Sequence, residues 1–413
     1  MRKWSDILGK HKEYATIKVN SYLNDILKNN DAIYLFTGIK NDDLKDTSKI
    51  NIETLIKKNI INGIVLGQKQ IWKEYVERYE NILKKYKVIK LFLADMSHKK
   101  NIMNNIEKKL ENELDRAIYT DELEKLTELI ISISSEEKLD YKYRCKKLES
   151  NCYFKSIYME YINIKTILDK IFDYDAFCKN ENWNRSMLLY QMDIRVCPYC
   201  NRQYITKYQT ENIRKTTADL DHYYPKSKYP FLALSLYNFI PSCAICNRNF
   251  KRADNREMLY PYEEEFDDDD LQYKFVTKFD KDNNFTYLLG ESSDFKLDLV
   301  NYNGINKDKV TRAKNNIDLF KLKDVYEIHK EQVKEIIRDF YYYNEIWEEE
   351  IQKLFMTSDC ENMLFNEETI REMCLGKHLN LQKSNNEILS KLKKDIVDEL
   401  LEEKKDVKIC QKV

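Results

Sequence analysis

Four cysteines of this chain share a spacing that suits one tetrahedral metal ion. They form two C-x-x-C pairs, Cys197/Cys200 and Cys243/Cys246, and 42 residues separate the pairs. Two such pairs can supply four thiolates to one zinc ion at about 2.3 Å each. A thioredoxin-like redox site would need only one pair, and four unrelated buried thiols would not share a spacing. The sequence therefore predicts a closed, structural Zn²⁺ site with these four residues as ligands.

Side chains suited to phosphodiester hydrolysis lie between the two pairs and just after them. His222 is a candidate general base, because histidine titrates near neutral pH. Asp221 and Asn247 offer the oxygen ligands that a hard divalent ion prefers. Asn238 can hydrogen-bond the backbone across the intervening loop and so set the direction of His222. Asp221 and His222 are adjacent, so they need a bend or a strand end to converge.

The same residues follow a known family pattern. The stretch 195–256 resembles the zinc-bearing branch of the HNH endonucleases, whose ββα-metal fold consists of two strands and a helix. That pattern has a D-H pair, a central N about fifteen residues later and a third H or N nine residues after that, with C-x-x-C directly before the third position. His222 and Asn238 are 16 residues apart, and Asn238 and Asn247 are 9 apart. The resemblance covers only this stretch, and the chain lacks the Gly-Gly that many members carry after the proline.

The resemblance implies a role for each matching residue. Asp221 and Asn247 would hold one catalytic Mg²⁺ or Mn²⁺ ion, His222 would be the base and Asn238 would position the loop. Asp219 matches an acidic position before the D-H pair and has no assigned role. More loosely, the stretch and its long helical flanks resemble the HNH nucleases of bacterial anti-phage systems such as the Septu type, which act beside an ATPase. The resemblance implies an ATPase subunit as a partner. The size of the helical flanks also favours a docking surface, either for such a subunit or for a second copy of the chain.

Local charge indicates a nucleic-acid substrate, with DNA expected over RNA. Whole-chain charge is −1, but residues 190–262 contain 11 Lys and Arg against 6 Asp and Glu, a balance of +5. Phosphate contacts need such a local excess, although a solvated basic face would have the same composition. The candidate nucleic-acid contacts are Lys226, Lys228, Arg248, Lys251 and Arg252.

The elements around these residues are expected to be mainly helical. All five prolines fall between residues 198 and 261, and no glycine occurs between Gly67 and Gly290. The predicted fold is therefore mainly α with a small central α+β core of the ββα-metal type, which contains the zinc site. The predicted domains are an N-terminal helical domain at 1–185, the HNH core at 190–262, and a short β-hairpin with a C-terminal helical region at 263–413.

Periodicity supplies further detail within these domains. Apolar residues recur at helical spacing from Trp72 to Tyr86 and from Ile102 to Ile118, which predicts helices packed into a core. Residues 271–279 and 285–289 read as the two strands of the hairpin. The acidic run at 263–270 is expected to be a solvated loop, although it could also mimic DNA or bind cations.

Composition limits the remaining classes of function. The chain has 12% aromatic residues, which is typical of a folded protein. It has no run of 18 apolar residues, its first residues are charged, and its other cysteines are scattered, so we expect a cytoplasmic protein without a membrane span or signal peptide. Two alternatives to an active nuclease stay open: a zinc module that binds nucleic acid or protein without cutting, and an HNH subunit that a partner must activate.

Overall fold

The computed structural model of the chain describes most of its 413 residues. The described residues are 2–40, 49–93, 125, 128–129, 140–210, 213–278, 285–302, 304–342 and 386–410. Across them the protein is mainly helical and contains three small two-stranded antiparallel sheets. This confirms the prediction of a mainly α fold with a small α+β part. The predicted stripe from Ile102 to Ile118 lies outside the described residues.

The chain forms two compact units, where the sequence predicted three domains. The helical unit consists of Leu8–Phe177 and Lys226–Asn238. The cysteine unit consists of Met1–Ile7, Cys178–Pro225 and Phe239–Val413, and it contains all four cysteines of the predicted zinc site. The segment between the predicted catalytic histidine and asparagine therefore packs mainly with the N-terminal helices.

The helical unit is built from consecutive helices. Its helices, with the first shared across the unit boundary, are Arg2–Leu27, Asn30–Thr37, Lys49–Lys58 with a π-helical continuation Asn59–Val65, Lys69–Lys85, Lys87–Leu93, Tyr141–Ser150, Cys152–Ile171 and Tyr174–Lys179. Local signals set some of their ends. The side chain of Asn29 accepts a hydrogen bond from Ala32 N at 2.8 Å and caps the second helix, which ends at Gly38 in a left-handed conformation with φ of 76°.

The helix Lys69–Lys85 confirms the predicted core stripe. Trp72, Tyr75, Tyr79 and Ile82 are buried along one face, because a spacing of three or four residues places them on the same side of the helix. The Tyr79 ring contacts Phe231 edge-on, with 5.2 Å between ring centroids.

The segment Lys226–Asn238 is anchored in the helical unit by both its backbone and its side chains. Phe231 and Leu234 are buried. The Tyr229 hydroxyl donates to Glu80 at 2.9 Å. The fully buried His11 ring lies with Nε2 2.8 Å from the Leu234 carbonyl oxygen. Residues 229–236 are consequently part of a packed core, whereas Lys226 and Lys228 at the start of the segment are exposed.

The cysteine unit contains all six strands of the described residues. β1 (Lys207–Thr210) pairs with β2 (Ile213–Thr216), β3 (Asp219–His222) with β4 (Phe239–Ser242), and β5 (Tyr273–Lys278) with β6 (Lys296–Asn301), each antiparallel. A π-helical segment, Ile245–Lys251, follows β4 directly. The longer helices of this unit are Arg185–Met192, Lys307–Leu319, Leu322–Tyr326, Lys330–Tyr342 and Ser390–Cys410.

The predicted C-terminal hairpin exists, but its second strand was assigned to the wrong residues. Residues Phe285–Leu289 form a 3₁₀ helix that ends at Gly290, whose φ is 67°. The partner of β5 is β6, where Leu297 and Leu299 alternate with more exposed residues. That period of two is the strand pattern, whereas the apolar residues at 285–289 do not alternate.

The acidic run at 263–270 is held by basic side chains of the following helices. Asp267 contacts Lys391 and lies 3.0 Å from Lys394 Nζ, and Lys309 Nζ lies 2.7 Å from Asp268 and 2.6 Å from Asp270. Burial alone would raise the pKa of Asp267, but the two lysines outweigh it and hold the pKa below its usual value. Ion pairs therefore hold part of the run, while Glu263, Glu265 and Asp269 are exposed to solvent.

Among the helices of the described residues, none combines the length and the apolar character that a membrane crossing requires.

Candidate metal centre and catalytic strand

The four cysteines of the predicted zinc site come together in the cysteine unit. Their sulfur atoms all lie within 4.8 Å of one another, and all four residues are buried. Four sulfurs bound tetrahedrally at about 2.3 Å from zinc would be roughly 3.8 Å apart. The cluster therefore fits a metal ion such as zinc with only a small contraction. The metal would have a closed shell of protein ligands, which is the arrangement of a structural site.

Each C-x-x-C pair lies in a tight loop that turns its sulfurs inward. In the first loop, Cys197 N donates to Gln203 O at 3.0 Å, and Asn201 adopts a left-handed conformation with φ of 48°. In the second loop, Cys246 N approaches the sulfur of Cys243 at 3.4 Å. Backbone N–H groups directed at sulfur stabilise a thiolate, which is the form that binds metal.

Crowding of the thiols favours a thiolate within the cluster. Hydrogen bonds with the Cys197, Cys200 and Cys246 thiols hold the pKa of Cys243 far below its ordinary value. The deprotonated sulfur that such a low pKa favours is the form that binds a soft or borderline cation.

Strand β3 presents the predicted catalytic residues on two faces. Its cross-strand neighbours are Ile240 opposite Asp221 and Phe239 opposite His222. Successive side chains of a strand point in opposite directions, so Asp219 and Asp221 share one face and His222 lies on the other. The His222 ring contacts Phe239 edge-on, with 5.2 Å between ring centroids, and 8% of the residue is exposed.

The environment of Asp221 does not fit a role as an open metal ligand. The Tyr199 hydroxyl donates to Asp221 Oδ2 at 2.6 Å, and Lys251 Nζ lies 3.2 Å from Oδ1 and 3.1 Å from Oδ2. Both carboxylate oxygens thus accept hydrogen bonds from protein donors. The Lys251 ammonium group already neutralises the negative charge that a bound metal ion would otherwise neutralise. Burial nevertheless raises the pKa of Asp221, with Lys251 acting in the opposite direction.

Asn247, the other predicted ligand of the catalytic ion, lies near Asp219 and helps to lower the pKa of that carboxylate. Arg248 holds the same carboxylate with Nε at 2.6 Å and a second nitrogen at 2.7 Å, and Arg185 lies 3.5 Å away. Burial would raise the pKa of Asp219, but the hydrogen bonds from Arg248, the side chain of Asn247 and the charge of Arg185 outweigh it and lower the pKa. The structure therefore pairs Asp219 with Arg248, and Asp221 with Lys251.

Asn238, in the helical unit, makes the kind of bond that its predicted role requires. Its side-chain Nδ2 donates to Leu232 O at 3.0 Å, in a fully buried position. The residue directly precedes β4 in the chain, and this bond holds its side chain within the helical unit. Whether it sets the direction of His222 stays a prediction.

The candidate phosphate contacts differ in their exposure. Lys226 and Lys228 are exposed on the helical unit and lie over the rings of Tyr174 and Tyr229. On the cysteine unit, Arg248 and Arg252 are exposed.

The fifth candidate, Lys251, is not on the surface. Its side chain has 0% exposure and donates to Asp221 and, at 2.6 Å, to the backbone oxygen of His222. The expectation of a surface contact is corrected for this residue. The reason is that the π-helical segment turns it toward the buried carboxylate of β3.

Two features of the site escaped sequence reasoning. Tyr199 occupies a variable position of the first C-x-x-C pair and carries no predicted role, but it is buried, stacks on Phe320 and contacts Asp221. Lys251 was read as one of several basic residues. Neither role has a local sequence signal, because both depend on how the two cysteine loops close around β3.

Comparisons of the chain with protein-family models, curated proteins and solved structures find no match.

Proposed function

We propose that this protein is an endonuclease of the HNH type that hydrolyses phosphodiester bonds, with DNA favoured as substrate. The observation that supports the proposal most is the order of elements around His222. Strand β3 ends at His222, β4 pairs back on it, and the helical segment carrying Asn247 begins within the second cysteine loop. The resemblance drawn from the sequence implies a ββα element of this kind.

His222 is the proposed general base. Its imidazole takes a proton from a water molecule while the water oxygen bonds to phosphorus, and the bond from phosphorus to the leaving sugar oxygen breaks. Its packing on Phe239 restricts the orientation of the ring. The exposed Arg252 supplies positive charge on the same unit for contact with the phosphate backbone, whereas the Arg248 guanidinium is paired with Asp219.

The four cysteines are proposed to hold zinc with a purely structural role. Dependence on a second ion, Mg²⁺ or Mn²⁺, is also part of the proposal and comes from the family resemblance. Such an ion would neutralise charge on the phosphate. The predicted ligand pair Asp221 and Asn247 does not fit it in the observed arrangement, so no step is assigned to that pair.

One observation favours a second candidate function, a zinc module that binds nucleic acid or protein without cutting it. Asp221 is neutralised internally by Lys251, as in a purely structural ion pair. A binding module would have no need for His222. The two candidates therefore differ in whether the phosphodiester bond is broken.

A partner is a further part of the proposal. The helical unit is much larger than a hydrolytic site of this kind requires, which favours a docking role, either for an ATPase subunit or for a second copy of the chain. If a partner must activate the nuclease, cleavage will require co-expression of the two chains.

The test is a cleavage assay with the purified full chain. Supercoiled plasmid and a single-stranded RNA are incubated with Mg²⁺ or Mn²⁺, with EDTA, and with EDTA followed by excess Mg²⁺. We expect nicked plasmid with either ion, none with EDTA, and recovery after Mg²⁺ is restored. The binding module would be favoured by a different result: the protein shifts the plasmid in a gel-shift assay but does not cleave it. That result would have to hold both for the chain alone and for the chain co-expressed with its genomic neighbours.

A further inference from the structure

Both cysteine loops send one side chain to the same buried carboxylate. Tyr199 lies between Cys197 and Cys200 in the first loop, and its hydroxyl donates to Asp221 at 2.6 Å. Lys251 ends the helical segment that begins beside Cys246 in the second loop, and its ammonium group binds both oxygens of Asp221.

The same ammonium group reaches the residue next to Asp221. Lys251 Nζ donates to the backbone oxygen of His222 at 2.6 Å, while the Lys251 side chain is completely buried. A buried lysine has three protons to donate and no water to receive them, so each of these bonds is costly to break. The carbonyl group of His222 is therefore held by Lys251, which belongs to the helical segment that begins in the second cysteine loop.

We propose that Tyr199, Asp221 and Lys251 form a positioning network that connects the four-cysteine metal centre to His222. In this network Asp221 is a positioning residue and not a ligand of the catalytic ion. A metal ion bound by the cysteines fixes both loops, the loops fix Tyr199 and Lys251, and these two fix the end of β3. Loss of the cysteine-bound metal then displaces His222. The consequence for cleavage rests on the proposed nuclease function, but the structural coupling does not.

The coupling can be measured without any activity. The chain has five histidines, so selective ¹³C labelling of the imidazole rings gives a spectrum with few signals. The His222 signal is assigned with His222→Gln. We expect Tyr199→Phe, which keeps the ring stacked on Phe320 and removes only the hydroxyl, to shift the His222 signal and leave the His329 signal in place. Stripping the metal with a chelator should shift the same signal.

Stability provides the second measurement. Lys251→Met leaves Asp221 buried without a cation, and we expect Tm to fall by roughly 6 °C or more. Tyr199→Phe should lower Tm by roughly 3–6 °C, because a hydrogen bond to a charged group is lost. A matched surface pair is the control: Lys165 and Asp169 are 3.8 Å apart and about half exposed. Lys165→Met and Asp169→Asn should each change Tm by less than about 2 °C.

Asp221→Asn separates the two roles of this residue. As a positioning residue, it should shift the His222 signal and lower Tm, while the Mg²⁺ concentration for half-maximal cleavage stays within about twofold of wild type. A tenfold or larger increase in that concentration, with Tm and the His222 signal unchanged, would overturn the proposal and make Asp221 a metal ligand. An unchanged His222 signal in Tyr199→Phe and in the metal-free protein would also overturn it. If the wild type does not cleave at all, the nuclease proposal fails, and the spectra and Tm values still decide whether the network exists.

Discussion

Acidification should destabilise the helical unit through one histidine. His11 is completely buried, and its Nε2 lies 2.8 Å from the Leu234 carbonyl oxygen in the segment between β3 and β4. Burial lowers the pKa of His11 to about 4 from its ordinary 6.5, although the bond to Leu234 works in the opposite direction. The neutral ring can keep its N–H bond to the carbonyl, but the protonated ring places a positive charge in the buried core, which costs free energy.

The sign and the size follow from the two pKa values. The unfolded chain binds a proton at His11 below about pH 6.5, whereas the folded chain resists it until about pH 4. The contribution of the neutral His11 ring to the unfolding free energy is therefore fully present above about pH 6.5. It declines as the pH falls from about 6.5 to about 4. A difference of about 2.5 in pKa corresponds to about 3 kcal/mol of unfolding free energy at pH 4.

The assay is urea unfolding of wild type and His11→Gln from pH 7.5 to pH 4. It is followed by fluorescence and by hydrogen exchange in peptides from the helical unit. Glutamine keeps a donor for the Leu234 carbonyl and does not titrate. As the pH falls from 7.5 to 4, the unfolding free energy of wild type should decrease by about 3 kcal/mol more than that of His11→Gln. Carboxylates titrate equally in both proteins and cancel. Parallel pH profiles for the two proteins would refute the buried, neutral state of His11.

Three further outcomes are expected. Cys243→Ser should lose the metal and yield insoluble or locally unfolded protein, because a structural zinc site contributes on the order of 10 kcal/mol to folding. Zinc content measured by mass spectrometry checks this prediction. A wild-type protein that is folded but contains no metal would contradict it. Asn238→Ala, which removes the bond to Leu232, should cleave plasmid at a rate between those of wild type and His222→Ala, and a wild-type rate would count against a positioning role. Lys228→Ala should reduce the slope of log affinity against log salt by about 1 in anisotropy titrations, whereas an unchanged slope would remove Lys228 from the phosphate contacts.

The parts of the fold that depend on local patterns were predictable from the sequence. The duplicated C-x-x-C spacing predicted the buried cluster of four sulfurs, because few arrangements other than a shared metal use that spacing. The stripe from Trp72 to Tyr86 predicted a buried helix face, since a period near 3.6 is a property of the helix alone. The prediction failed at residues 285–289, where a short apolar run without alternation could form either a strand or a helical turn.

The parts that depend on long-range pairing were not predictable. The acidic run contains no information about Lys309 or Lys391, which neutralise it from distant helices. Lys251 has the same appearance in the sequence as an exposed basic residue, and only the closure of the cysteine loops around β3 buries it against Asp221. Charge and spacing identify which residues can do chemistry, but the pairing of buried charges is decided by tertiary structure.

Cleavage by His222→Ala, compared with the matched variant His329→Ala, tests the proposed nuclease most directly. His329 lies in the same unit, accepts a hydrogen bond from Arg202 at 3.1 Å and has no proposed part in the chemistry. With plasmid and Mg²⁺, and with equal zinc content and Tm in both variants, His222→Ala should cleave roughly 10²–10⁴-fold more slowly than wild type, the usual contribution of a positioned general base. His329→Ala should remain within a few-fold of wild type. Cleavage by His222→Ala at the wild-type rate would contradict the assignment of His222 as the base and would remove the central support for an HNH nuclease.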